Sequence, residues 1–322
     1  MLNRRILRIK AFKVLYAYAE NPEMTLKEAL SSLDASCEAT RDLYLFMLSV
    51  IPPLTAEAAR RIEAAQGKFN PTEEERHPNL KFARNALAPL LEGDPDFRKM
   101  VDRKKLSWEQ YDVFLHNLYD AVREKPYFAA YMADPEVSLD QDVRLFKKVF
   151  EEEFEDNEAL WQILEDLSLF WTDDLAYALT YDIRTLDDIR RTGRWELPPL
   201  YQSDILRRKG KEGVDSDRQF VVNLLSAAFA RFDEYYAKVA GSVTKWDRDR
   251  LYTTDIVLIA MGLAEAEHFP EIPVKVTINE YVEIAKFYST PKSRSFVNGL
   301  LDRLIRQSVG EGRINKSGRG LL

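Results

Sequence analysis

NEYVEIAKFYSTPKSRSFVNGLLDRL, residues 279–304, decides how this chain is read. It spells two amphipathic helices joined at a Ser-Thr-Pro turn. Gly299 falls inside the second helix, directly after Phe296, Val297 and Asn298, where glycine costs about 1 kcal/mol relative to alanine. A helix that accepts this cost gains close backbone approach or a functional surface there.

Outward from this stretch the pattern stays helical, and alternating strand patterns are nearly absent. Residues 4–20 form a first helix that ends before Asn21-Pro22. Leu7, Ala11, Val14, Leu15 and Tyr18 share one face as a core stripe. Beside it Arg8, Phe12 and Tyr16 stand at i, i+4 and i+8, with Arg5 alongside. Thr25 and Glu28 form a capping box for the next helix, and a further apolar helix over 38–51 halts at Pro52-Pro53. Residues 66–79 are a polar, proline-punctuated linker. From 80 to 190 come helices broken near Gly93-Asp94-Pro95, Pro126 and Asp134-Pro135, rich in acids and in aromatics at core spacing. A second loop-rich break covers 192–215, and helices resume near 216–240 and 247–267. The expected fold class is all-α, with a helical middle inserted between the two ends.

The net charge of −7 is unevenly spread. Residues 1–13 carry Arg4, Arg5, Arg8, Lys10 and Lys13 with no acid. Residues 292–322 carry seven basic residues against Asp302 and Glu311, which leaves −17 for the stretch between. Basic ends on an acidic body make either one electropositive patch or two solvated termini, according to whether the fold joins them. The single Cys37 excludes an intramolecular disulfide framework and a cysteine zinc cluster. No apolar run reaches the roughly 18 residues of a membrane helix, and the basic start lacks the apolar segment of a signal peptide. A cytoplasmic setting is expected.

Chemistry is hard to find. His77, His116 and His268 lie in separate segments without metal-ligand spacing. There is no phosphate loop, no dinucleotide fingerprint and no GxSxG elbow. The expectation is therefore a protein that is not an enzyme, with no catalytic residue, no metal and no cofactor. RNA fits better: arginines meet phosphates, and aromatic or guanidinium planes stack on splayed bases. The bland role for Phe12 and Tyr16 is to widen the core stripe. Phe12 is read that way, whereas Tyr16 fits either role.

IPVKVTINEYVEIAKFYSTPKSRSFVNGLLDRL, residues 272–304, resembles the C-terminal signature of the NusB transcription-antitermination family. The matching residues are Pro273, Ile278, Asn279, Glu280, Glu283, Ala285, Lys286, Phe296, Val297, Asn298, Gly299, Leu301 and Asp302. RRILRIKAFKVLY resembles the family's opening helix through Arg4, Arg5, Arg8, Ala11, Leu15 and Tyr16. The likeness covers about 1–35 and 216–308. It implies a NusB-like helical domain built from residues 1–51 and 216–308. Residues 52–215 would be a helical insertion of unknown role, and 309–322 a basic flexible tail. It further implies binding of single-stranded boxA-type RNA together with the ribosomal protein NusE during rRNA transcription. The RNA-contacting residues would be Arg4, Arg5, Arg8, Tyr16, Lys292 and Phe296. Asn279, Glu280, Asn298, Gly299 and Asp302 would be structural, with Gly299 letting the last helix pack closely on a neighbour.

One departure from the family concerns the helix near 250–265. Where relatives carry an aromatic-Glu pair, this chain has Gly262-Leu263, so a partner contact made by that glutamate is weakened or moves to Glu265. Two other readings compete. One is an accessory RNA-binding domain serving RNA modification; the other is a helical protein–protein adaptor whose acidic middle docks basic partners.

Overall fold

The computed structural model describes residues 1–211, 213, 216–243 and 252–321. Among these residues the secondary structure is helical, and the β pairing is one isolated parallel bridge, Leu2 with Tyr201. Among the described residues no helix is long and apolar enough to cross a membrane. The chain divides into two compact units. One comprises Leu2–Cys37 with Leu200–Leu322; the other comprises Met1 with Glu38–Pro199.

The terminal unit is organised around the Thr253–His268 helix. Every residue from Asp255 to Ala266 in it is buried, which is the pattern of a helix covered on all sides. Packed against it are Arg4–Glu20, Asp217–Ala230, Phe232–Ser242, Val274–Tyr288 and Ser293–Gly310. The first helix runs over the expected residues. Asn3 caps it by accepting from the Ile6 amide, and Leu7, Ala11, Val14 and Leu15 are buried. The helix expected over 216–240 breaks at Arg231 into two. The expected 247–267 helix begins at Thr253, after an extended Tyr252; residues 247–251 lie outside the described residues.

Two distant parts of the sequence are fastened at the start of this unit. The Leu2 amide donates to the Leu200 carbonyl at 2.6 Å, and the Gln202 amide donates to the Leu2 carbonyl at 2.9 Å. The Ser203 amide donates to Asp217 Oδ2 at 2.7 Å, and the Asp217 amide returns a bond to Ser203 Oγ at 3.1 Å. Residues 200–211, read as part of an insertion, therefore pack with the chain start.

The Leu26–Leu48 helix runs straight through what sequence divides into two helices, and the unit boundary falls inside it, after Cys37; its second half belongs to the central unit. The Thr25–Glu28 capping box is formed, with the Thr25 amide 2.8 Å from Glu28. Pro52 and Pro53 open the Ile51–Gln66 helix, where the missing amide hydrogens cost nothing. The core is aromatic. Phe46 stacks on Trp108 at 4.1 Å and on Trp171 at 5.4 Å, and Phe82 gathers Tyr119, Phe128 and Phe146. Tyr44, on the same helix as Phe46, bonds Thr185 and receives the Trp195 indole N–H, both at 3.0 Å. These contacts draw residues 38–48 into the central unit.

Candidate nucleic-acid interface

Three arginines on the first two turns of the first helix reach the Asp217–Ala230, Thr253–His268 and Val274–Tyr288 helices, and each finds a carboxylate. Arg5 grips Glu280 with two bonds, at 2.9 and 2.7 Å. Arg4 donates to Asp217 at 3.2 Å and lies over the Phe220 ring, 4.8 Å from its centroid. Arg8 is turned inward and buried. It donates to both oxygens of Glu265, at 2.6 and 2.9 Å, with its side chain 4% exposed.

Glu265 is fully buried and accepts two further bonds, from Thr277 Oγ1 at 2.9 Å and from the Tyr281 hydroxyl at 3.2 Å. A buried ion pair needs such saturation to offset the loss of water. Burial opposes the charge on Arg8, but the Glu265 carboxylate outweighs it and raises the pKa. Burial and the same carboxylate push the Tyr281 hydroxyl well above its usual range. Glu280 is held below the ordinary carboxylate range by the Arg5 hydrogen bond, helped by the charge of Arg8 and against partial burial.

Sequence reading assigns Arg8 to RNA phosphates, whereas the structure places it in the core with its donors on Glu265. Lys10 is buried too, donating to the Ser36 carbonyl at 2.8 Å. Of the three arginines, Arg5 and Arg4 carry the accessible charge, at 51% and 35% side-chain exposure. Glu265 cannot be a partner contact, because it has no exposed surface. Its signal in sequence is an acid within the apolar run of IVLIAMGLAEAEH; such an acid requires a buried cation, and Arg8 is that cation. Phe220, which supports both Arg4 and Arg8 from below, carries no comparable signal.

Arg4, Arg5 and Arg8 line one open cavity of about 570 Å³ together with Asn3, Glu271, Ile272, Pro273, Val276, Glu280 and Arg319. Tyr16 lies two to three turns further along the first helix. It is half-buried and meets Phe12 at 6.3 Å; Phe12 meets Tyr288 at 5.5 Å, and Lys13 lies over the Tyr288 ring. Phe12 itself is core. Lys292 is exposed at the start of the last helix and Phe296 is half-buried; neither lines the arginine cavity.

The residues read as structural divide. Glu280 bridges Arg5 and Arg8, and Asp302 pairs with Arg306 at 2.9 Å. Asn279, Asn298 and Gly299 are outside the buried core. A Cβ on Gly299 would meet nothing within 4 Å, so this glycine does not serve helix packing. The close approach is at Gly262, where a Cβ would come within 2.7 and 2.8 Å of the Leu301 methyls and 3.3 Å of the Tyr281 ring. The departure Gly262 is thus the packing glycine.

Residues 309–322, expected as a flexible tail, lie against the terminal unit as far as Leu321. Ile314 is buried, the Ser317 amide donates to the Pro270 carbonyl at 3.1 Å, and a short 3-10 turn spans Gly318–Leu321.

The terminal unit is that of a helical protein whose accessible site is a cation-lined cleft at the start of its first helix. The NusB family profile matches residues 200–306. The transcription antitermination protein NusB of Salinibacter ruber is 36% identical over 107 residues, covering 33% of this chain and 67% of that protein. The namesakes from Methylacidiphilum infernorum and Chloroherpeton thalassium are 35% and 34% identical, over 71% and 50% of their lengths. The chain belongs to the NusB family. No solved structure matches it.

Proposed function

We propose that this protein is a transcription antitermination factor that binds single-stranded, boxA-type RNA together with NusE, without metal or nucleotide. The observation that carries the reading is the cleft with Arg4 and Arg5 at its accessible edge, on a chain of the NusB family. Arg4 and Arg5 contact phosphates, exchanging Asp217 and Glu280 for the ligand; Lys292 adds a third cation. Arg8 acts by holding the first helix on Glu265. Tyr16 lies eleven residues beyond Arg5, about 16 Å along a helix at 1.5 Å per residue. A short strand of RNA held at the arginines could span that distance to reach Tyr16, with Phe296 as a second apolar contact. The accessible Asn279, Asn298 and Gly299 fit a partner-facing surface better than a packing role.

The terminal unit is the NusB-like body in this proposal, and Glu38–Pro199 is the insertion. The insertion's side chains total 21 basic against 33 acidic, a net −12, and the remainder of the chain nets +5. That acid excess opposes RNA contact.

Titration of the full-length protein with boxA-like RNA, with and without NusE and over a range of salt, tests the reading. Arg4, Arg5 and Lys292, at roughly 0.7 per phosphate contact, together contribute about −2 to the slope of log K against log salt. Arg4→Gln with Arg5→Gln should weaken binding to every RNA sequence alike, because phosphate contacts position rather than specify. A salt-independent affinity, or no binding with NusE present, rejects it.

A further inference from the structure

We infer that the C-terminal segment 316–321 is a built part of the arginine cleft and that Arg319 supplies a cation for an RNA backbone phosphate. This rests on the RNA-binding reading above and extends it to a part of the chain outside the region that the family profile matches.

Four arginines line the cavity, and three of them are held by carboxylates: Arg4 by Asp217, Arg5 by Glu280 and Arg8 by Glu265. Arg319 is exposed, and its guanidinium makes no ion pair among the described residues. An anion entering the cleft must displace a carboxylate to engage Arg4 or Arg5 fully. Arg319 presents its planar fork of donors without that competition, and a guanidinium matches phosphate geometry bidentately.

The segment is held by contacts that set Arg319 at this place. Lys316 Nζ donates to the Phe269 carbonyl at 3.0 Å, and the Ser317 amide donates to the Pro270 carbonyl at 3.1 Å. Ser317 Oγ donates to Glu271 Oε1 at 3.0 Å, and the Arg319 amide donates to Glu271 Oε2 at 3.3 Å. Both glycines flanking Arg319 are required by the approach. Gly318 has φ +53°, and a Cβ there would collide with the Glu271 carboxylate. A Cβ on Gly320 would collide with the Pro270 carbonyl oxygen, which is backbone. The sequence KSGRG therefore presses the chain against Phe269–Glu271 and leaves the arginine side chain at the cleft.

The test uses fluorescence anisotropy of the full-length protein with a single-stranded boxA-like RNA at several salt concentrations. Arg319→Gln should bind about 3- to 10-fold more weakly, with a salt slope shallower by about 0.7. Arg319→Lys should keep the wild-type slope. Gly320→Ala should undock the segment and lose as much as Arg319→Gln, and combining the two should lose no more. Far-UV circular dichroism should be unchanged, since both positions lie in the terminal segment. Wild-type affinity and slope in Arg319→Gln, beside a loss in Arg4→Gln/Arg5→Gln, overturn the inference and leave the RNA-binding reading intact. A normal Gly320→Ala beside a weakened Arg319→Gln overturns the docked geometry. Failure of the wild-type protein to bind RNA with NusE present removes both.

Discussion

The two units are made of similar amphipathic helices, yet the most deeply buried carboxylate of each stands in an opposite environment. In the terminal unit Glu265 receives four hydrogen bonds, two of them from a buried arginine. In the central unit Asp182 is completely buried, and neither of its oxygens has a hydrogen-bond partner among the described residues. The first is a charge locked in place by three helices; the second is a carboxyl whose burial favours the neutral form. The signs of the units differ as well, and together these contrasts separate a cationic body organised around an ion pair from an acidic, aromatic-cored addition.

The largest expected effect lies at the ion pair. Glu265→Ala removes the carboxylate and leaves Arg8 buried, with Glu280 at 3.7 Å as its remaining acid. Breaking a buried pair from one side costs about 3–5 kcal/mol, because the surviving charge is uncompensated. Urea unfolding followed by far-UV circular dichroism should show this loss, and Arg8→Leu with Glu265→Leu together should recover part of it. A cost below about 1 kcal/mol for Glu265→Ala would mean that Arg8 reaches water, and would end the contrast between the units.

Much of the terminal unit is legible in sequence because its signals are local. The first helix has a period, a cap at Asn3 and a stop at Asn21-Pro22, and its boundaries follow from these. The Arg8–Glu265 pair is not legible in that way, since its partners are 257 residues apart and only the fold brings them together. Arginines clustered at a chain start read as surface charge by default, and that default fails for Arg8. The two glycines differ for a related reason. The apolar period over Val297, Leu300, Leu301, Leu304 and Ile305 already puts Gly299 off the buried stripe. The apolar run around Gly262 has no polar face, so nothing local singles it out as a crossing point. The boundary near residue 37 is hidden for a different reason: the Leu26–Leu48 helix crosses from one unit to the other without a break, and no composition change marks Cys37.

Asp182 gives the next effect, and it depends on pH. Burial raises its pKa well above the usual carboxylate range in the folded chain, while the unfolded chain has the ordinary value near 3.9. Above about pH 4 the unfolded state has released a proton that the native state still holds. Stability from this group is therefore complete below the unfolded pKa and falls as pH rises, by up to about 1.4 kcal/mol per pH unit, until the native pKa is reached. Asp182→Asn does not titrate, so its melting temperature should exceed that of the wild type by a margin that widens as pH rises above the unfolded carboxylate pKa of about 3.9. Tryptophan fluorescence is the suitable probe, because Trp108, Trp161, Trp171 and Trp195 all lie in the central unit. A margin independent of pH would mean that Asp182 is charged and solvated.

The smallest effect is at Gly299, where the sign carries the information. No atom lies within 4 Å of where an added methyl would sit, and φ is in the ordinary helical region, so Gly299→Ala should simply relieve the entropy cost of a mid-helix glycine. That predicts a gain of about 0.5–1 kcal/mol, read as a small rise in melting temperature. A fall would restore the packing role that sequence suggests and place an unseen neighbour against this turn. A rise accompanied by weaker binding of NusE or RNA would show what the glycine is for: an accessible backbone stripe beside Asn298 that a partner approaches more closely than any side chain permits. A rise with binding unchanged would leave the glycine without a role in either unit's chemistry, and would confine the functional surface to the arginine cleft.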